Sequence, residues 1–541
     1  MIAAVSQARR SFLKSAALAS LGFAAPRSRA EGSPNPRILY SNDTTHITSC
    51  APPWRDPKEG FTDGHLRASI REAAGVDVHL LQPGLGWIPW WDSELYSPKA
   101  HYEEFLGSFG VTKLPAIARY LLAGGDLVRT HLEECRSLGI EAFVSIRLND
   151  GHHVRSLAEA LKEKKPSHDM SRFFWENYES FRIGPDPTDW GQGVLNWAYP
   201  EVPEHKLALI RELIARYPID GLELDFLRHW NRFAPDGIPT TERAAITTRF
   251  VREVRTALDE GGSDSPRRPL AIRVPAKLAL HPEQGIDLRA LADAGVDLVT
   301  LSWSYFTFQD DSVRQAKTLV PDTPVYAEMT HTTYTGRALG GSGTQPYLRT
   351  TDEQFYSTAD LAYEQGATGV SLFNFPYYRA HTTPEIGPFT EPPFHVLPKL
   401  RDRDFLSRKP RWYFATAARK DPVLPDLDLP CLIQRTETKL LRLEANPIVG
   451  IHRDGTLRLR SDEPITDRGV TVSLNGVKLI PAVFSAKPLP HRYEAFLGEE
   501  EQFLSFACPV SLVRRGENEL AVRLDAGIRM RIVFADLVLP T

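Results

Sequence analysis

The stretch EHKLALIRELIARYPIDGLELDF, residues 204–226, changes periodicity within one short unit. Its first half, EHKLALIRELIARY, is amphipathic with a period near 3.6 and reads as a helix. Its second half, IDGLELDF (219–226), is apolar and short and reads as a strand. A helix running straight into a strand is half of a repeating βα unit. The strand also raises a question, because it carries Asp220, Glu223 and Asp225. A buried carboxylate is costly unless it is paired or used.

Working outward, seven further runs have strand character: 37–42, 76–83, 141–150, 269–275, 296–303, 323–330 and 367–375. Amphipathic stretches lie between them, and Gly139, Gly295 and Gly366 directly follow helical runs, as C-terminal caps do. Eight alternations of strand and helix predict an α/β chain folded as a (β/α)₈ TIM barrel over 37–405. A doubly wound open sheet is the alternative, but no Gly-rich phosphate turn follows the first strand. After residue 410 the pattern changes to short alternating strands separated by turn residues. This predicts an all-β, jelly-roll-like sandwich over 415–541. The fragment LVRRGENELAVRL in this region resembles the closing strands of accessory sandwiches found beside sugar-cleaving barrels.

The chain has 541 residues, a net charge of −4, 42% hydrophobic and 24% charged residues, which is ordinary for a globular protein of more than one domain. Near-neutral charge argues against nucleic acid as a partner. Ten Trp and 17 Tyr are generous for a core alone. Cys50, Cys135, Cys431 and Cys508 form no CxxC motif. Buried free thiols are the expectation, with a Cys431–Cys508 disulfide as the alternative. At the N-terminus, Arg9 and Arg10 precede Phe-Leu-Lys, an apolar run from Ala16 to Ala25 and small residues near Ala30. This resembles a twin-arginine export signal over 1–30, with Ala8 in place of the usual Ser or Thr. It implies a periplasmic or extracellular mature protein with no integral membrane segment. Oligomeric state is not encoded in any of these features.

Functional residues of barrels sit at the C-terminal ends of strands. In DGLELDF the side chains alternate, so Glu223 and Asp225 face the same side, with Asp225 nearer the mouth. Arg228 follows and is placed to hold either carboxylate. The run resembles the fourth-strand signatures of sugar-hydrolase barrels. Asp220, Glu223 and Asp225 match the first three acidic positions of the D-x-x-D-x-D-x-E run of family 18 chitinases, but Leu227 stands where their catalytic Glu would be. Asp220, Asp225, Phe226, Leu227 and Arg228 match without a gap the D-x-x-x-x-D-[YF]-[IL]-R run of less characterised glycosyl-hydrolase-like barrels. The alternative for Glu223 and Asp225 is a buried network that stabilises the barrel through Arg228 or Arg273.

Glycoside hydrolysis generally needs a second carboxylate. Glu328, at the end of the seventh strand, is the candidate partner of Asp225, by position and not by motif; otherwise it binds sugar hydroxyls. Asp150 is the reserve, within RLNDGHH, where Asn149, His152 and His153 are candidate substrate ligands. A metal held there with His46 and His229 is a further alternative, but no cofactor is expected. Aromatic clusters follow three strands: Trp87, Trp90 and Trp91; Trp303 and Tyr305; and Tyr377 beside Asn374. They are expected to wall a carbohydrate cleft by stacking on sugar rings. Together these features predict an exported glycoside hydrolase with a carbohydrate substrate. A non-catalytic sugar-binding barrel and a metal-dependent hydrolase are the competing classes.

Overall fold

In the computed structural model, residues 37–43, 60–85, 87–109, 111, 113–227, 229–260, 267–333, 348–380, 391–416, 428–447, 453–485, 488–491 and 499–540 are described. The twin-arginine segment, His46, Cys50 and Arg228 lie outside them. The eight expected strands are all present: β1 (Arg37–Asn42), β2 (Val78–Leu81), β3 (Glu141–Arg147), β4 (Gly221–Asp225), β5 (Leu270–Pro275), β6 (Leu298–Ser302), β7 (Val325–Thr330) and β8 (Gly369–Phe373). They close in sequential order into a parallel barrel, β8 pairing back onto β1. The barrel reading therefore holds, and the open sheet falls away.

The helices form because their apolar stripes need the outer face of the sheet. One example, α1 (Leu127–Leu138), starts where the Asp126 side chain accepts from Arg129 N–H and ends at Gly139, in the left-handed region at φ 69°. The stretch that opened the reading becomes α2 (Glu201–Arg216), which buries Leu207, Ile210, Leu213 and Ile214 and turns directly into β4. No helix among the described residues is long and apolar enough to cross a membrane.

Successive strand positions divide between two cores. Ile38, Val144, Leu222, Leu224, Ile272, Val299 and Val370 face the helices in one large cluster. Leu39, Val78, Leu80, Phe143, Ala271, Leu298 and Tyr326 form a separate cluster inside the barrel. Two glycines make room there, since a Cβ on Gly221 would collide with the Phe143 ring and one on Gly369 with the Arg37 carbonyl and the Tyr326 ring.

The C-terminal region is a sandwich. Its strands are β9 (Arg411–Thr416), β10 (Cys431–Gln434), β11 (Thr438–Ala445), β12 (Gly455–Ser461), β13 (Gly469–Leu474), β14 (Val477–Lys478), β15 (Ile480–Pro481), β16 (Phe503–Cys508), β17 (Gly516–Ala526) and β18 (Arg529–Leu539). One sheet runs β9-β18-β12-β16-β15, with β10 also on β18; the other runs β11-β17-β13-β14. Their inner faces share an apolar core that includes Leu459, Val522 and Leu537. On the other face of the larger sheet, out of phase with Leu457 and Leu459, Arg458 and Asp536 form a fully buried ion pair that also receives Trp412 Nε1–H at 3.0 Å. Cys135, Cys431 and Cys508 are free thiols, as expected, with Cys135 and Cys508 buried and Cys431 partly exposed; the alternative Cys431–Cys508 disulfide is not formed.

Candidate active site

Inside the barrel, the inward positions grow more polar toward the C-terminal ends of the strands. On β3 they run Phe143, Ser145, Arg147; on β4 Gly221, Glu223, Asp225; on β5 Ala271, Arg273; on β7 Tyr326, Glu328. The apolar lower layer fills the barrel, and the upper layer gathers charge at the end where barrels carry function.

Arg273 is the centre of that layer. Its Nε donates to Glu328 at 2.8 Å and a terminal nitrogen donates to the same carboxylate at 2.7 Å. The other terminal nitrogen reaches Asp225 at 3.2 Å. Ser302 Oγ donates to Glu328 and accepts from Arg273 at 3.2 Å. Asp225 also accepts Leu227 N–H at 3.0 Å and Gln82 Nε2–H at 3.5 Å. The guanidinium lies 4.4 Å from the Phe373 ring centroid. Burial opposes its charge, but Glu328 and Asp225 hold it protonated well above the usual range. Asp225 and Glu328 thus converge at the top of the barrel, as expected, but on one arginine and almost sealed, at 1% and 4% exposure. The partner that the sequence assigned first to Arg228 is supplied by Arg273, whose register on β5 sets it opposite Asp225.

Glu223 sits one layer deeper, accepting Ser145 Oγ–H at 2.7 Å. Burial, reinforced by the charge of Asp225, pushes its carboxyl up to about 8, so it carries a proton at neutral pH. Asp220 lies apart at the bottom of the barrel, where it accepts Ala142 N–H at 2.8 Å and fastens β4 to β3. That answers the opening question: one carboxylate is a strand clip, one keeps its proton, and one is balanced by an arginine.

A second polar group gathers around Arg147. Its guanidinium donates to Gln82 at 2.6 Å and pairs with Asp43 at 2.9 Å. Asp150 accepts from the His152 ring and lies 3.4 Å from His229 Nδ1. Burial works against its charge, but His152, His229 and Arg147 outweigh it and hold the carboxyl well below the ordinary range. Asp150, His152 and His229 offer donor atoms within 4.8 Å of one another, the spacing of a metal cluster. Gly151 N–H, however, donates to His229 Nδ1 at 2.8 Å, and His152 Nδ1 is engaged by Asp150. One nitrogen of each imidazole is thus engaged, that of His152 by Asp150 and that of His229 by Gly151 N–H, which fixes both rings beside the carboxylate. Exposed Trp190 stacks on His229 at 4.8 Å, an aromatic that the sequence left unnoticed because it lies in an irregular segment far from any strand end.

Several expected ligands have structural duties instead. Asn149 is buried and donates to the carbonyls of Leu195 and Asn231. His153 is fully buried against Phe174, and burial drops its pKa to about 4. Asn374 accepts Asp43 N–H at 2.7 Å and so ties the exit of β8 to that of β1.

The three aromatic clusters do not form one open wall. Trp87, Trp90 and Trp91 are all at least nine-tenths buried. Trp87 lies under the Lys206 ammonium at 3.9 Å, and Trp91 Nε1 donates to Glu212 at 3.3 Å. Trp303 packs on Phe308 at 4.9 Å and turns toward the sandwich. Only Tyr305 and Tyr377 meet near the arginine, where Tyr305 contacts Phe373 and Tyr377 at 6.2 and 6.1 Å. Large rings near strand ends bury more area by closing the outer layer than by facing water.

Backbone conformation marks the same end of the barrel. Trp87, His229, Ser304 and Asn374, at the exits of β2, β4, β6 and β8, adopt φ of 69°, 60°, 62° and 61°. Left-handed backbone in bulky residues is costly and concentrates at functional sites.

No protein-family model matches the chain, and comparison with curated proteins finds no match. Among solved structures, an α-amylase from Geobacillus thermoleovorans complexed with acarbose is 14% identical, covering 90% of this chain and 98% of its own, with a TM-score of 0.35. An N-acetyl-β-hexosaminidase from Streptomyces plicatus is 16% identical over 68% of this chain and 63% of its own, TM-score 0.38. A family GH36 α-galactosidase from Geobacillus stearothermophilus is 10% identical over 91% and 56%, TM-score 0.35.

Proposed function

We propose that the protein is an exported glycoside hydrolase that cleaves a poly- or oligosaccharide, with Asp225 and Glu328 as its carboxylate pair. The observation that carries this reading is the charged top layer of the barrel, where carboxylates from β4 and β7 converge on Arg273. Two-carboxylate hydrolysis needs one group to protonate the glycosidic oxygen and another to meet the anomeric carbon or activate water. Asp225, the less tightly held of the two, takes the second role. Glu328 is the partner on the opposite edge of the guanidinium, and protonated Glu223 is the proton store beneath them. The two carboxyls take different edges of one guanidinium, and product anomers decide between inversion and retention. Export rests on the leader sequence.

One observation favours a second reading, a sugar-binding barrel without turnover: Arg273 occupies the interval in which an inverting enzyme keeps its water. The deciding experiment screens the mature protein against plant, algal and microbial polysaccharides with reducing-end detection, alongside Asp225→Asn. Turnover by the wild type and none by the variant supports hydrolysis, with product anomers read by NMR. Binding without new reducing ends in either protein supports the second reading.

A further inference from the structure

A cavity of about 310 Å³ opens between the exits of β5 and β6 and the sandwich, against about 40 Å³ beside Arg147 and Asp150. That is the size of a small-ligand site. Its two halves are locked together. Gln309 Nε2 donates to the Trp412 carbonyl at 3.1 Å, Phe414 N–H donates to Gln309 Oε1 at 2.9 Å, and Trp412 N–H donates to Ser357 Oγ at 2.8 Å. The cavity is therefore preformed, which lowers the ordering cost of binding.

Its lining is aromatic on the barrel side, where half-buried Phe308 lies over Trp303, and acidic elsewhere. Five carboxylates line it against Lys277 and Arg442. Two of the five are committed: Asp428 to Arg442 at 3.1 Å, and Glu444 to Arg314 at 3.0 Å. Asp310, Asp311 and Glu517 make no ion pair within 4.0 Å among the described residues; Asp310 accepts Ser312 N–H at 3.0 Å, Asp311 accepts Gln315 Nε2–H at 2.7 Å, and Arg442 feels the charge of Asp311 and Glu517 from farther off. Burial, with the charge of Asp311 added, raises the Asp310 carboxyl to about 6 against the hydrogen bonds from Ser312, so this group gains from a cation beside it. None of the three belongs to a cluster tight enough for one metal ion among the described residues. Spread carboxylates beside an aromatic floor match an extended organic cation instead.

We propose that this cleft binds a saccharide bearing a protonated amine, a hexosamine unit without its acetyl group, with the sugar ring on Phe308 and the ammonium facing Asp310 and Glu517. The saccharide part rests on the glycosidase reading; the amine part rests on the charge of the cleft alone. Uronate and sulfated sugars are excluded by like-charge repulsion.

The test is calorimetric titration of the full mature chain carrying Asp225→Asn, so that turnover does not interfere. The probes are a glucosamine tetramer, its fully N-acetylated form, a uronate tetramer and spermine. Preferential binding of the glucosamine tetramer, weakened about tenfold or more by Asp310→Asn with Glu517→Gln, supports the site. Equal binding of the N-acetylated tetramer, equal binding of spermine, indifference to the double substitution, or no binding at millimolar ligand overturns it. Amine-selective binding in a protein that hydrolyses no glycan sinks the glycosidase reading and leaves the cleft standing; hydrolysis without such binding does the reverse.

Discussion

Replacing Arg273 by Met keeps most of the side-chain volume and removes the guanidinium that holds Glu328 through two donors and Asp225 through one. Both carboxylates are almost fully buried, so neither gains water in exchange. Breaking a buried ion pair from one side costs about 3–5 kcal/mol. The stability gap to wild type at neutral pH is therefore about 3–5 kcal/mol. Urea unfolding followed by tryptophan fluorescence measures it. Arg273→Lys keeps the charge but, as a compact donor, does not span both carboxylates, and falls between. A Met variant as stable as wild type refutes the clamp.

Glu223→Gln mimics the protonated acid, whose raised pKa makes wild-type stability fall as pH rises through about 8. The variant should gain on wild type by up to about 1.4 kcal/mol per pH unit between roughly 5 and 8, read by the same urea unfolding repeated across that range. Gly369→Ala places a methyl against a backbone carbonyl that has no rotamer to escape into, whereas at Gly221→Ala the obstacle is the Phe143 ring. Thermal melts should show both destabilised, Gly221→Ala by about 1–3 kcal/mol and Gly369→Ala by more. In the sandwich, Asp536→Ala strands Arg458 with 0% exposure and is expected to cost about 3–5 kcal/mol in denaturant melts; a neutral result would mean the pair is dispensable.

The barrel was legible because each strand is a short apolar run and each helix an amphipathic one, and periodicity is a local property. The step from DGLELDF to inward-facing carboxylates at the C-terminal end of a barrel strand also held, since parity along a strand needs no tertiary knowledge. Parity said that Glu223 and Asp225 face inward, and both do. It did not say that Arg273, 48 residues on, would be the counter-ion of Asp225. Position alone likewise proposed Glu328, and the barrel brings it to the same guanidinium. The aromatic reading failed for Trp87, Trp90 and Trp91 because closeness to a strand end does not tell a loop's outward face from its buried one. Trp303 belongs to a cleft that exists only once the sandwich packs against the barrel. Trp190 and Lys206 carried no sequence signal, because their neighbours come from other elements.

Sequence by itself determined the repeating βα order, the change to a sandwich near residue 410 and which carboxylates face the barrel axis, all consequences of local period and chain direction. Tertiary structure alone decided which charges neutralise one another, which rings meet water and where a cavity remains. Those depend on closing the barrel and docking a second domain, which bring together groups far apart in the chain and set how much water is left between them.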